Sequence, residues 1–440
     1  MSNPIDLQYR IGPSDDCEYI RLANAEAELA VARAASTGPM RILWVKVGGL
    51  WPANTGGRLR SFNLIRELSA EHEVSVITTH HPSEDGAALA QQLPRCKKVL
   101  SIPHASVKRT SPMFALSLFG SWFSTLPVDI YKSRIGALRR LVNHTLAQER
   151  FDLIVADFLF AAPNVPLHGD TPVVFFSHNV EYMIWQRLCD IDANPIRRAL
   201  LELEWRKMRR YEARVCEQAA LTVAVSAEDR EQLKLDAQTA RIRAVPTGVD
   251  IDYFRPDDTV EEVPTELVFT GSMDWHPNED GILYFIAEIL PRIRAELPQV
   301  RLTVAGRNPS AKLQAAAQEA GVNVTGTVDD IRPHISRAAV YVVPLRVGGG
   351  TRLKIFEALA MGKAVVSTTI GAEGLPLEDG VHLLRADTAE SFAAAVLSLL
   401  RDKAERQRLG RNGRELMEQR FSWPKVARCF AGFCREALRA

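Results

Sequence analysis

Two series of short apolar runs, each run followed by a helical stretch, constrain this chain most. The first series starts at Met40 and holds Ile42–Val45, Val74–Thr78, Leu153–Ala156, Val173–Phe176 and Leu221–Val225. The second holds Leu267–Thr270, Arg301–Ala305, Val322–Thr325, Val340–Val343 and Ala364–Ser367. Runs of four or five mostly β-branched or aromatic residues are strand-length, and the segments between them are long enough for crossover helices. Such alternation predicts parallel, doubly wound sheets, and two series predict two of them. The class is therefore α/β, with two Rossmann-like domains. Residues 1–39 read as an N-terminal extension with an Ala- and Glu-rich helix over 17–35. Residues 40–245 form the first domain, and the Pro- and Asp-rich stretch 246–264 is a linker. Residues 265–423 form the second domain. In open parallel sheets ligands sit at the carboxyl ends of the strands, so the expected ligand cleft faces both domains there.

The stretch 344–366, PLRVGGGTRLKIFEALAMGKAVV, carries the most chemistry. Three glycines follow a strand, so a ligand can approach the backbone closely at Gly348, Gly349 and Gly350. Thr351 is a good N-cap for the helix that follows, whose apolar positions are Leu353, Phe356, Leu359 and Ala360. Arg352 and Lys354 fall in its first turn, where the helix dipole disfavours cations. A bound anion would reverse that sign, so the group suggests a phosphate or diphosphate site. The bland alternative is a turn with solvated cations and a Lys354–Glu357 surface pair.

This segment resembles the donor-site signature of group 1 (family 4) glycosyltransferases, which have the GT-B fold. The family carries two Glu seven residues apart before a Gly-x-Pro-Val-Val strand. Glu357 matches the second Glu, and Gly362-Lys363-Ala364-Val365-Val366 matches the strand. Gly349 stands where the first Glu would be. The chain is similar instead to a bacterial polysaccharide subgroup reading Gly-Gly-Gly-Thr-x-x-Lys-x-x-Glu. Pro246-Thr247-Gly248-Val249-Asp250 resembles the family's hinge. Phe421-Ser422-Trp423 matches the point from which the family's last helix, here about 424–440, returns to the N-terminal domain.

The resemblance implies a retaining transfer of a sugar from a nucleoside diphosphate sugar to a hydroxyl of a polysaccharide or lipid-linked glycan. In that reading Glu357 holds the donor's ribose. Gly56 and Gly57, after the first strand, face the donor diphosphate. Gly271, Gly306, Arg307 and Val328, at strand ends of the second domain, line the nucleotide site. Asp157 and His178 follow two strands of the first domain; Asp157 is a candidate base, and His178 a candidate base or sugar contact. Typical members have an Arg and a Lys after the first strand of the second domain that clamp the diphosphate. Ser272 and Asn278 stand there, which leaves Arg352 and Lys354 as the nearest cations. Two further classes stay open: a nucleotide-sugar epimerase, and an inactive scaffold that binds nucleotide or glycan.

The rest is exclusion. The glycine loop after the first strand lacks Gly-x-Gly-x-x-Gly spacing, and no acid closes the second strand near Ile77, which counts against a dinucleotide cofactor. A net charge of +1 argues against nucleic acid as a partner. Six scattered cysteines without zinc spacing suit a reduced cytoplasm. No leader and no spanning run of 18 apolar residues is expected from the sequence. Asp190-Ile191-Asp192 and Asp250-Ile251-Asp252 are metal-like strings in loops, so no metal is expected at the site. Met113–Leu118, with Trp122 and Phe123, looks like an exposed apolar loop followed by Lys132, Arg134, Arg139 and Arg140. It could graze a membrane surface or a lipid-linked acceptor; otherwise it is a helix packed on the first domain.

Overall fold

The computed structural model describes residues 38–53, 55–105, 112–191, 194–347 and 353–439. The chain divides into two units, one of residues 1–246 with 426–440, the other of residues 247–425.

Unit 1 holds a parallel sheet of β1 (Arg41–Lys46), β2 (Glu73–His80), β3 (Lys98–Pro103), β4 (Leu153–Asp157), β5 (Val173–Phe176), β6 (Leu221–Ala224) and β7 (Ile242–Ala244). Their spatial order is β3-β2-β1-β4-β5-β6-β7. The labelled helices of this unit are α1 (Gly56–Glu71), α2 (Pro112–Trp122), α3 (Val128–Lys132), α4 (Gly136–Gln148), α5 (Glu181–Ile191) and α6 (Pro195–Gln218). β4 and β5 are buried along their whole length, because crossover helices cover both faces of a parallel sheet. Alternate residues feed the two faces. Leu43 and Val45 join Ile77, Ile154 and Ala156 in one core. Trp44 points to the other face, 5.6 Å from Phe430 between ring centres.

Unit 2 repeats the plan with β8 (Val263–Thr270), β9 (Arg301–Ala305), β10 (Asn323–Gly326), β11 (Ala338–Val343), β12 (Ala364–Ser367) and β13 (Leu384–Arg385), in the order β10-β9-β8-β11-β12-β13. Its labelled helices are α7 (His276–Tyr284) and α8 (Leu353–Ala360). The two doubly wound sheets make an α/β two-domain GT-B fold. In each sheet the strand order reverses once, between β1 and β4 and between β8 and β11, and the crevice beside such a reversal is where open sheets bind ligands.

The linker and the end of the chain run together. Val249 N–H donates to Phe421 C=O at 2.7 Å. From there α9 (Trp423–Ala437) begins, and its residues from Val426 belong with unit 1. Phe430 packs on Phe176, and Glu436 pairs with Arg243 at 2.9 Å.

The proposed apolar loop at 113–118 is a helix, α2. It is not fully packed: Leu118 leans on the unit 1 core and Ser121 is buried, while Met113, Leu116, Phe119 and Trp122 are exposed. The extension over residues 1–37, including the expected helix 17–35, lies outside the described residues.

Candidate functional site

In unit 2, three strand ends are laced together. Gly271 N–H, after β8, donates to Ala305 C=O at 3.0 Å, and Gly306 N–H, after β9, donates to Gly326 C=O at 3.2 Å. Gly306 has φ +153°, and a Cβ there would fall 1.7 Å from the Gly271 oxygen. Only glycine fits, because the obstacle is backbone. Met273 N–H then donates to Arg307 C=O at 2.9 Å, which ties the two loops side by side. Val328 is half-buried beyond β10, in the third loop of this edge.

The clamp positions are not empty of charge. Arg307 is exposed, and its Nε donates to Ser272 Oγ at 2.7 Å. Lys354 Nζ donates to Asn278 Oδ1 at 2.6 Å and lies 4.2 Å over the Phe269 ring. Asn278 is fixed in turn, since its Nδ2 donates to Ser272 C=O at 2.8 Å. Two cations therefore reach Ser272 and Asn278 from other parts of the chain. Lys354 thus reaches across the chain to Asn278 as well as lying one helical turn from Glu357. Gly348, Gly349, Gly350, Thr351 and Arg352 lie outside the described residues.

Lys354 and Glu357 share one face of α8, while Phe356 and Leu359 bury the other. Burial pushes the Glu357 carboxyl up to about 7, with the Lys354 charge opposing. The folded chain thus holds this proton more tightly than the unfolded one, whose Glu titrates near 4.5. The contribution to stability is full below about 4.5 and is lost as pH rises through about 7. Glu357→Gln is expected to remove that slope. Denaturant midpoints of the two proteins at pH 5 and pH 8 check it: they should diverge in favour of the variant at pH 8.

In unit 1, Lys46 ends β1 and Asp157 ends β4, and register makes them neighbours at the strand reversal. Asp157 is fully buried. It accepts hydrogen bonds from Trp44 Nε1 at 2.8 Å and Lys46 Nζ at 3.2 Å, and His178 Nε2 lies 2.8 Å away. Burial alone would raise its carboxyl, but the Lys46 ammonium holds it below the usual carboxylate range. Burial lowers Lys46 to about 8 against the pull of Asp157.

His178 is pushed down to about 3 by burial, so it is neutral at ordinary pH. Arg60 Nη1 lies 3.3 Å from His178 Nδ1. A guanidinium only donates, so Nδ1 accepts, and the neutral ring carries its proton on Nε2, facing Asp157. These contacts set the surroundings of the two candidate bases. Asp157 accepts from Trp44 and Lys46, and His178 has its accepting nitrogen taken by Arg60. Asp157→Asn is expected to cost on the order of 3 kcal/mol in stability, because it strands a buried ammonium. Urea denaturation measures this; a loss under 1 kcal/mol, on the order of one ordinary hydrogen bond, would show that Lys46 finds another partner.

Phe158 closes the cluster. Its backbone is left-handed, φ 70°, which costs a non-glycine residue about 1–2 kcal/mol. In return its ring stacks on His178 at 3.8 Å and takes Lys46 Nζ at 4.0 Å. A Cβ on Gly57 would meet that ring at 2.6 Å, so what approaches Gly57 closely within the chain is Phe158. Gly56 is exposed, with open space beside it, in the first turn of α1.

Beside this cluster, unit 1 has a pocket lined by Val47, Gly48, Arg58, Thr79, His80, His81, His104, Lys132 and Ser133. Its lining offers two cations and three imidazoles and no carboxylate. Arg58 is itself oriented by two bonds to Gly48 C=O and by Glu84 at 3.3 Å. Sequence reasoning missed this pocket, and with it Lys46, Arg60 and Phe158. Glu181, three residues after His178, is buried too, and Glu212 accepts from its N–H at 3.0 Å and caps α5.

Among the described residues no group of three or more His, Cys, Asp or Glu could hold a metal ion. Asp250 Oδ1 accepts from Tyr253 N–H at 3.0 Å and serves a turn; Asp192 lies outside the described residues.

A family model described as Glycosyl transferases group 1 matches residues 264–402, and one described as Glycosyltransferase Family 4 matches residues 55–253. A 44.6 kDa protein of the cps region of Klebsiella pneumoniae, itself uncharacterised, is 22% identical over 399 residues, covering 88% of this chain and 97% of its own. A GDP-mannose-dependent alpha-(1-6)-phosphatidylinositol monomannoside mannosyltransferase of Mycobacterium tuberculosis is 25% identical over 325 residues, 68% of this chain and 78% of that protein. Among solved structures, a sucrose-phosphate synthase from Thermosynechococcus elongatus superposes with a TM-score of 0.63 at 18% identity, over 91% of this chain and 98% of that one.

Proposed function

The chain belongs to the group 1, family 4 glycosyltransferases, and from that premise we propose that it is a retaining enzyme using a nucleoside diphosphate sugar. The sugar goes to a hydroxyl of a polysaccharide or lipid-linked glycan. The observation that carries this reading is the pair of cations at the clamp positions. The family's Arg and Lys are replaced by Ser272 and Asn278, yet Arg307 and Lys354 bond to those two side chains. The departing diphosphate would meet two positive charges there. Asn278 and Ser272 act as posts that hold the cations before the charge develops, which is how preorganised donors lower a barrier. Glu357, ionised, would accept the ribose hydroxyls.

The acceptor side is read from the unit 1 pocket. Arg58, Lys132 and three histidines suit an acceptor with an anionic group near its hydroxyl, as in a phosphate-linked lipid carrier. The mannosyltransferase relative is named for a phosphatidylinositol-based acceptor, which supports the same direction.

Calorimetric titration with UDP, GDP and TDP, each with and without its sugar, tests the donor half. One nucleotide is expected to bind clearly better than the others. Glu357→Gln should weaken it by about one to two decades, since a charge-assisted hydrogen bond is worth roughly 1.5–3 kcal/mol. No binding of any nucleotide would defeat the reading. Equal affinity in the variant would make Glu357 a structural residue.

A further inference from the structure

We infer that Asp274 is a positioning residue for the departing diphosphate: through the Ser272 hydroxyl it fixes the Arg307 guanidinium at Nε and leaves its two terminal amines for a phosphate. This rests on the transferase reading and adds to it the residue that sets one of the two cations.

Asp274 is exposed. A carboxylate beside an anion site has the wrong sign if it acts by charge alone. Its contacts give it another task. Ser272 Oγ donates to Asp274 Oδ1, and Asn308 Nδ2 donates to Asp274 Oδ2 at 3.0 Å. A hydroxyl has one proton. With that proton on Asp274, the Ser272 oxygen turns lone pairs to Arg307, whose Nε donates to it at 2.7 Å. The bonds from Ser272 and Asn308 hold the Asp274 carboxyl below the usual carboxylate range, so the chain of bonds keeps its direction at neutral pH. Asn308 has left-handed backbone, φ 55°, which asparagine adopts more readily than most residues. Among the described residues no ion pair joins Arg307 to Asp274 directly, and no other residue bonds the guanidinium. Two adjacent amines of one planar group match two oxygens of one phosphate.

Ser272 serves the second cation through a different atom. Its C=O accepts from Asn278 Nδ2 at 2.8 Å, and Asn278 Oδ1 accepts from Lys354 Nζ at 2.6 Å. A Cβ on Gly271 would lie 2.7 Å from Asn278 Nδ2 and 2.8 Å from Lys354 Nζ, so a larger residue there would push into this second line. The side chain of Ser272 thus holds Arg307, and its backbone holds Lys354. The two lines part at that residue, so Asp274 governs Arg307 and not Lys354.

Calorimetry on the full chain with UDP, GDP and inorganic pyrophosphate tests this. Asp274→Ala should weaken diphosphate binding by about three- to tenfold, the usual effect of losing one hydrogen bond. Asp274→Asn keeps an oxygen for the Ser272 hydroxyl and should retain most of the affinity. In an Arg307→Met background Asp274→Ala should change nothing further, whereas with Lys354→Met it should keep its full effect. Equal or tighter binding by Asp274→Ala, the sign that charge alone predicts, would overturn the inference. So would an effect that persists in Arg307→Met. NMR of the Arg307 Nε–H, assigned by its loss in Arg307→Met, gives a readout without ligand: exchange with water should be slow in the parent and faster in Asp274→Ala. Unchanged exchange would overturn the positioning role even if no probe binds. A parent that binds none of the three probes would instead defeat the transferase reading, and the phosphate half of this inference with it.

Discussion

Replacing Lys354 with methionine is expected to lower turnover by about 10²–10³, the usual cost of losing one donor to a developing anion. The ammonium is held at 2.6 Å from Asn278 Oδ1 and over the Phe269 ring before any ligand arrives. It need not reorganise when the leaving group gains charge. Methionine keeps most of the volume, so the fold should stand. Some stability should be lost above pH 7, because the neighbouring Glu357 carboxylate loses the Lys354 charge that eases its burial. Steady-state kinetics with a melting curve separate the two effects. Full turnover in the variant would place the diphosphate elsewhere, most directly at the α1 amides of Gly56 and Gly57.

Gly306→Ala is expected to destabilise unit 2 by on the order of 3 kcal/mol and to weaken nucleotide binding with it. The new methyl would lie 1.7 Å from the Gly271 oxygen, and the φ of +153° is one that alanine rarely adopts. Relief requires the β8 and β9 loops to part. That movement would carry Ser272 away from Arg307 and loosen the post that Asn278 provides for Lys354. A variant with a parental urea midpoint and parental nucleotide affinity would mean the loops are not packed as described.

Both sheets were legible because central parallel strands are buried on two faces and read as unbroken apolar runs. The strands that escaped were β3, β7 and β13. β3 is half-buried and mixed in character, β7 has three residues and β13 two, so none carries a pattern. α2 stood in the sequence as either an exposed loop or a helix packed on the first domain, because nearly every position is apolar. Lys354 and Glu357 were legible as neighbours on a helix after a glycine loop. Their surroundings were not. Lys354 meets Asn278 across 76 residues, and Lys46 meets Asp157 across 111. Such pairs are made by strand order and register, which no local stretch encodes. For the same reason the sequence showed Asp157 at a strand end but not the Lys46 ammonium beside it.

The central claim is that this chain turns over a nucleotide sugar by stabilising the departing diphosphate with its own cations. The most direct measurement is incubation with labelled UDP-, GDP- and TDP-sugars in EDTA, followed by NMR of the sugar released. The account predicts slow hydrolysis of one donor without acceptor, a product that first carries the donor's anomeric configuration, and loss of the signal in Lys354→Met. Nucleotide binding with no hydrolysis or transfer of any donor, or hydrolysis that Lys354→Met leaves untouched, would contradict it.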